Sequence, residues 1–567
     1  MNPGTLFPET PVFSFHPEMK YCPRCGIKMN VLKTRKRAVV TMGAGAFIAR
    51  ETHLHCPRHQ GIICSEDLRR LVPFKGTYGY DVLVHVGKSL YQRSMNEQAI
   101  AKELKSMAIN ISASEIRYLG QKFIAYLSIC HSQSQLKIRL GMARRGGYIL
   151  HIDGTCEGGS PHLFTGMDEI SGIILSSVKI CSEKKDKIVP FLKDIRAKYG
   201  TPLAVVSDMG KGLLGAAEEV FPDSLSLICH FHFLRDIGKD ILGDDYRVLR
   251  NRLAKSKIRT ALRSKAKDFE QKLGKRMAEL ANIDADSEFA SLKSALLLIH
   301  WMFETSTLSG YGFPFDMQHL LFYKRLMAVD EKIDKLIDRK ESKPFYQLKK
   351  LLNRIVKDKD LKKTALILRK NEIVFNELRE NLRITLPDGK NGLNDDGEAC
   401  DMKPISERVS AFVDKYDSST VKGHRKMIEQ IRKYYEKLFA DPINLTVGGN
   451  TVSIQPHRTN NIMERLFRDL KRLLRKKSGS ISLKRSIGAM LPGTVLVKNL
   501  ENEEYLKMLL NGTRGFAERF AQIDSHLFMR EFSRMKSHRK KIPTSARKLI
   551  KEDLALEKIE KMFLAVA

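Results

Sequence analysis

Three patterns of apolar and polar positions follow one another along the chain, and each predicts a different kind of unit. Up to about Val72 long periodic stretches are few. A Cys pair, a basic run (Lys33, Arg35, Lys36, Arg37) and a second Cys cluster stand there instead, which predicts a small metal-stapled module over residues 1–75. From Tyr80 to about Arg139 apolar residues recur at helical spacing, first Ile100, Leu104 and Met107, then Ile116, Leu119 and Phe123. This predicts a helix near Asn96 to Ser106, a turn at Ala108 to Ile111 and a second helix from Ser112, within a region spanning 80–140. From Gly147 the pattern changes to the short β-rich runs GYILHID, HLFTGMD and GIILSSVKI, with turn signals at Gly158-Gly159 and Ser171-Gly172. A helical segment (Lys184 to Tyr199), the apolar strand LAVVSD, a helix from Lys211 to Val220 and a strand from Leu225 to Cys229 complete this stretch.

Three antiparallel strands followed by alternating helix and strand is the order of a ribonuclease-H-like α/β core, whose first part is assigned to 145–240. After Phe231 the strand signal stops, and amphipathic charge-rich helices take over, for example Asp268 to Leu280, Phe345 to Val356 and His424 to Phe439. They predict a large all-helical insertion over 241–455, with a polar loop at Leu386 to Gly397 inside it. The core is expected to resume over 456–515, and a basic helical tail to follow over 516–567. No fixed-period repeat is visible, which disfavours a solenoid.

Charge narrows the class of partner. Lys and Arg number 98 against 65 Asp and Glu, a formal +33, well beyond what solubility needs, so a polyanion is expected. The charge does not separate DNA from RNA. Nine thinly spread cysteines, and an N-terminus (MNPGTLFPETPVF) with neither a basic nor an apolar leader region, predict a protein that is not secreted and keeps its thiols reduced. The longest apolar stretches, Ala38 to Ala49 and Ala295 to Phe303, fall short of the roughly 18 residues a bilayer requires, so no membrane partner is expected.

Chemistry enters with the acids at strand ends. Asp153 closes YILHID and Asp208 closes LAVVSD, each before a small-residue turn. A lone strand-end Asp is ordinarily a turn or cap residue. Two in one α/β unit can converge, and close carboxylates repel unless a cation neutralises them. Hard oxygen ligands suit Mg²⁺ or Mn²⁺, and two such ions about 3.5–4 Å apart serve phosphoryl transfer. The best third carboxylate is Glu464, in RTNNIMERLFRDLKRLLRKK. There Ile462, Leu466, Leu470 and Leu473, joined by Met463, Phe467 and Leu474, make an apolar stripe, and Asn460 or Asn461 suits the N-cap. Glu464, Arg468, Lys471 and Arg475 line another face; the alternative is a surface ion pair between Glu464 and Arg468.

The segments HIDGT, VSDMGKG, CHFH and TNNIMER, with a helical insertion between the second Asp and the Glu, together resemble prokaryotic insertion-sequence transposases of the DDE class related to the Mutator-like superfamily. The resemblance spans roughly residues 20–500. It implies that Asp153, Asp208 and Glu464 are catalytic. Cys229 and His232 match a Cys-x-x-His element of these enzymes, read here as a structural hydrogen-bonding pair near the active site, a metal pair being the alternative. Trp301 lies where relatives can stack an aromatic on a base; core packing is the reading adopted.

Two N-terminal modules carry DNA-recognition signals. Cys22-Pro-Arg-Cys25 and Cys56-Pro-Arg-His59 have zinc-knuckle spacing and predict one structural Cys₃His Zn²⁺ site, with Cys64, His53 and His55 as possible substitutes and coincidental surface cysteines as the alternative. The basic run between them would then be a fixed phosphate-binding loop. The helix pair from Asn96 reads as a helix-turn-helix, with Ser112 and Glu115 as a capping box and Ser114 and Arg117 toward a groove, or as a hairpin used only for packing. The expected activity is binding of double-stranded DNA at terminal inverted repeats, metal-dependent strand cleavage and transfer into target DNA. Arg465, Arg468, Lys471 and Arg475 would hold phosphates, in a homodimer or higher assembly in the cytoplasm of a prokaryote, at the nucleoid. Two alternatives stay open: a ribonuclease-H-like nuclease without strand transfer, and a non-catalytic DNA-binding regulator.

Overall fold

The computed structural model describes residues 10–59, 61–280, 289–337, 342–384, 402–537 and 544–564. The expected loop at Leu386 to Gly397 lies outside them. The chain is mixed α/β with three sheets among the described residues.

The N-terminal sheet holds β1 (Val12–Phe15), β2 (Asn30–Thr41), β3 (Gly45–His55) and β4 (Ile62–Ile63), in the order β1-β3-β2 with β4 on β3. The basic run is therefore not a loop. Lys33, Arg35 and Arg37 alternate along β2 and pair with His53, Glu51 and Ala49 of β3, so the ladder satisfies their backbone groups; the side chains of Lys33 and Arg35 remain in solvent, while that of Arg37 is half-buried and donates to the Gly76 carbonyl. A small core of Val39, Phe47, Ala49, Leu68 and Val72 lies beneath one end of the hairpin.

Two capped helices follow. Asn96 accepts from the Ala99 amide (2.8 Å) to start α1 (Glu97–Ser106), and Ser112 accepts from the Glu115 amide (3.2 Å) to start α2 (Ala113–Gln133). Ala108 takes a left-handed conformation (φ 57°) at the turn between them. Ile116 and Leu119 are buried, and Ser114 and Arg117 are exposed.

The central sheet holds β5 (Ile149–Thr155), β6 (His162–Asp168), β7 (Ile174–Ile180), β8 (Ala204–Ser207) and β9 (Leu225–Ile228), ordered β7-β6-β5-β8-β9. β5, β6 and β7 are antiparallel, and β8 and β9 run parallel to β5. The parallel part requires crossovers, supplied by α3 (Lys185–Tyr199) and α4 (Lys211–Val220). Gly158, Gly159 and Gly172 all have positive φ, as the turns joining β5 to β6 and β6 to β7 demand.

One continuous core joins this sheet to α2 and to residues beyond Gly515. Tyr126 stacks on Phe520 (4.9 Å) and Phe528 (4.0 Å), and Phe516, Phe520, Phe528 and Phe532 are all buried. The stretch to residue 535 is thus packed structure rather than tail. Its two Phe-x-x-x-Phe pairs put apolar rings on one helical face each.

His131 ties these layers together. Its Nε2 donates to the Leu175 carbonyl (2.9 Å) and its Nδ1 accepts from the Tyr505 hydroxyl (2.9 Å), and burial lowers its pKa to about 4. The unfolded chain, with a His near 6.5, takes up this proton first as pH falls, so stability drops between about pH 6.5 and about 4. Over that window His131 accounts for about 3 kcal/mol. Urea midpoints at pH 7, 5.5 and 4.5 should fall less steeply in His131→Gln than in wild type; parallel slopes would remove His131 from the account.

The helical region begins with α5 (His230–Lys255) and surrounds its own apolar core, which includes Phe233, Leu262, Leu296, Leu326, Phe375 and Phe412. The helix expected over Asp268 to Leu280 instead runs Ile258–Leu273 and is stopped by Gly274 at φ +49°. Trp301 is not a core residue. Ala295, Leu296, Ile299 and Met302 take the inward face of its helix, leaving Trp301 45% exposed with the Arg325 guanidinium 5.0 Å from its ring centroid. The region is also not purely helical, because β10 (Ile443–Val447) and β11 (Asn450–Ile454) form a hairpin closed by Gly448 and Gly449, both at positive φ. A Gly-Gly pair between alternating runs is a hairpin signal that sequence reading passed over. The long helix α6 (Asn461–Ser478) then returns to the central sheet.

Candidate active site and metal cluster

The carboxylates meet because of strand register. β5 and β8 are neighbours in parallel, with His151 opposite Val206, so continuing by two residues sets Asp153 level with Asp208 at one sheet edge. Residues two apart share a face of a strand, and that face of β5 carries α6. The buried residues Met463, Leu466 and Phe467 anchor α6, and Glu464 in its first turn joins the two aspartates in lining one cleft of ≈ 570 Å³. Arg468, Lys471 and Arg475 line the same cleft, one helical turn after another. Arg465 does not line it; one residue on from Glu464, it faces about 100° away and is exposed. Lys477 reaches the Tyr91 ring (4.8 Å to its centroid), so α6 extends from the cleft to the helix Tyr80–Tyr91 beside α1 and α2.

Electrostatics in the cleft are set by its crowded acids. Burial first, and then the charge of Asp208, raises the Asp153 pKa well above the usual carboxylate range. The Gly154 amide donates to Asp153 Oδ1 (2.7 Å) and holds the carboxyl in place. Asp208 Oδ1 lies 2.7 Å from His232 Nδ1, yet the two are not aligned for a hydrogen bond, so a buried oxygen keeps free acceptor capacity. His232 Nε2 is 3.7 Å from Glu464 Oε1, which places the imidazole between two of the acids. Three converging carboxylates match the oxygen donors that Mg²⁺ and Mn²⁺ take.

Cys229 lies close to Asp208 and His232, the three ligand atoms grouped together. Its thiol is pushed up by burial and then by the charge of Asp208, and it accepts from the Asn460 amide (3.2 Å) at the entrance to α6. Sequence reading missed Arg235, one turn beyond His232 and also lining the cleft, although a His and an Arg three apart on a helix lie on one face. It also missed Glu183, a further acid beside Asp153.

The N-terminal cysteines converge as well. Cys22, Cys25, Cys56 and His59 bring their ligand atoms together and could hold zinc. Cys25 Sγ to Cys56 Sγ is 3.7 Å, and His59 Nδ1 lies 3.8 Å from Cys22 Sγ and 3.7 Å from Cys56 Sγ. Tetrahedral coordination with Zn–S near 2.3 Å sets ligand atoms about 3.7 Å apart, so the spacing suits that ion. Gly26 (φ +70°) makes the first knuckle's tight turn, its amide donating to Cys22 O (2.8 Å). At the second knuckle the His59 amide is the main influence holding the Cys56 thiol at about 6. Of the substitutes considered, His53 and Cys64 gather with Glu51 in a separate group, and His55 Nδ1 faces the Asn30 carbonyl (3.4 Å).

Among the described residues no helix is long and apolar enough to cross a membrane. No protein-family model and no curated protein matches the chain. Among solved structures it is similar to the "Drosophila P element transposase strand transfer complex", with 12% identity over 64% of this chain and 92% of that chain and a TM-score of 0.21.

Proposed function

We propose that the chain is a DNA transposase of the DDE class, with Asp153, Asp208 and Glu464 as its catalytic acids. The observation that carries this reading is their convergence, from two neighbouring strands and a distant helix, on one cleft that Arg468, Lys471 and Arg475 of the same helix also line. Hydrolysis of small uncharged substrates needs no such basic lining. The strand order β7-β6-β5-β8-β9, antiparallel then parallel, supports a ribonuclease-H-like core in two parts (145–240 and 456–515) around the insertion.

Two Mg²⁺ or Mn²⁺ ions bound by the three acids would supply Lewis-acid activation of the attacking oxygen, first water and then a DNA 3′-hydroxyl, and stabilise the leaving oxygen. The chain's own groups do the rest. Arg468, Lys471 and Arg475 hold the DNA phosphates on either side of the scissile one. His232 stands between Asp208 and Glu464, its ring nitrogens close to both carboxylates. The zinc-type module (1–75) and the helix pair within 80–140, with Ser114 and Arg117 exposed, read double-stranded DNA at the element ends; joining two ends calls for a dimer or higher assembly.

The test is incubation of purified protein with DNA that flanks its coding sequence, with and without Mg²⁺, and mapping of the products. The expected result is nicking at defined ends followed by joining to target DNA, both lost in Asp208→Asn. Nicking that never leads to joining would replace the transposase with a nuclease. Tight binding without cutting by either protein would replace it with a DNA-binding regulator.

A further inference from the structure

The segment leading into α6 makes a set of buried contacts that packing alone does not require. Asn460 occupies the N-cap position and is fully buried (0% exposed), yet its side chain makes no capping hydrogen bond. Its Nδ2 donates instead to the Ile152 carbonyl on β5 (3.1 Å), and this fixes the amide orientation. Its Oδ1 therefore faces His151 Nδ1 (2.9 Å) and accepts from it. The other ring nitrogen of His151 meets Glu169 Oε2 (2.6 Å), and the same oxygen accepts from the His457 amide (3.0 Å), three residues ahead of Asn460.

Both ends of this chain of contacts matter. Ile152 and His151 immediately precede Asp153 on β5. Asn460 precedes Glu464 by one helical turn, and the Asn460 carbonyl accepts from the Glu464 amide (3.2 Å). An arm from one acid and an arm from the other are thus joined through a single buried amide. Packing alone would have been satisfied by any residue of similar size, whereas an asparagine here uses a donor and an acceptor on two different partners.

We infer that Asn460, His151 and Glu169 form a clamp that sets the separation of Glu464 from Asp153, and so are positioning residues for the metal-dependent chemistry. This rests on the reading that the three acids bind metal for strand cleavage. Removing the amide leaves the Ile152 carbonyl and a His151 nitrogen without partners and lets the first turn of α6 shift, so the third ligand no longer reaches the point defined by the aspartates. Outer residues that orient metal ligands commonly alter metal affinity by about 10–100-fold.

The experiment measures Mn²⁺ binding to the purified full chain by calorimetry, without DNA, beside cleavage rates over a range of Mn²⁺ concentrations. Asn460→Ala is expected to weaken Mn²⁺ binding about tenfold or more, and to raise the Mn²⁺ needed for half-maximal cleavage by the same factor, with the KM for DNA unchanged. A purely structural role would lower the melting temperature and the active fraction while leaving the metal demand as in wild type, and that result overturns the clamp. Should Asn460→Ala not fold, Glu169→Ala and Glu169→Gln test the other end. Gln can give its carbonyl oxygen to the His457 amide and its NH2 to the His151 nitrogen that carries no hydrogen, and should recover most of what Ala loses; equal effects of the two overturn the proposal. If wild type binds Mn²⁺ more tightly than Asn460→Ala but cuts no DNA, the transposase reading fails and the clamp stands. If wild type cuts and Asn460→Ala has an unchanged metal demand, the clamp alone fails.

Discussion

Asp153→Asn is expected to reduce Mg²⁺-dependent strand cleavage by about 10³-fold or more, some 4 kcal/mol of transition-state stabilisation, while DNA affinity stays level or rises slightly. An amide oxygen is a weaker ligand than a carboxylate, so the ion shared with Asp208 is lost or displaced. DNA binding does not suffer, because the phosphates are held by Arg468, Lys471 and Arg475, and a negative charge has been taken from the cleft they approach. The same substitution should act on stability in the opposite sense. Asp153 is buried next to Asp208 and its pKa is raised, so at neutral pH its ionised form works against folding, and Asn does not. In metal-free buffer the variant should melt above wild type, and Mg²⁺ should close the gap by stabilising wild type alone. Full cleavage activity in Asp153→Asn, or a melting order that Mg²⁺ does not touch, would end the metal-site assignment.

Cys56→Ser is expected to abolish zinc retention and open the knuckle end of the N-terminal module, with specific binding to DNA ends lost and the central sheet intact. A structural zinc contributes roughly 10–16 kcal/mol of apparent binding energy, which in so small a unit is folding energy. The knuckle end has little else, since its apolar cluster is confined to Met29, Leu54, Ile63 and the ligand cysteines. The far end of the β2–β3 hairpin is secured separately: the Val40 amide donates to Thr77 O (2.8 Å), the Gly79 amide to Val40 O (2.8 Å) and Arg37 to Gly76 O (2.9 Å). Limited proteolysis should therefore cut the variant between residues 20 and 30 and again near 56–64, leaving a large protected fragment. Metal analysis of the wild type should return one zinc per chain. A wild-type chain without zinc that resists protease would remove the metal from the module.

The aspartates and the cysteine knuckles were legible because their signals are local. A strand that ends in Asp and a turn of the Cys-x-x-Cys kind are written in adjacent residues. The same holds for the caps at Asn96 and Ser112, where the side chain bonds to an amide three residues on. Glu464 was legible only as a candidate, because an acid ahead of basic residues on an amphipathic helix is equally a surface ion pair. Other features were missed or misassigned where the deciding partner is far away in sequence. Lys33 to Arg37 resembles a loop until β3 pairs with it, and Phe516 to Phe532 resembles a tail until Tyr126 receives its rings. Asn460 does stand at the N-cap position, but a carbonyl and an imidazole on β5 compete for its side chain and win, because in a buried site they have no water to turn to.

The sequence by itself determined the strands and helices of the central α/β stretch, the basic character, the spacing of the cysteine knuckles and the two strand-end acids, since hydrophobic period and turn chemistry act over a few residues. Only the tertiary structure decided that Asp153 and Asp208 stand level, that Glu464 completes the cleft, and that Arg465 faces away while Arg468 does not. Those facts depend on β-strand register and on the rotation of a packed helix, which are set by contacts between residues tens to hundreds of positions apart, and no local periodicity records them.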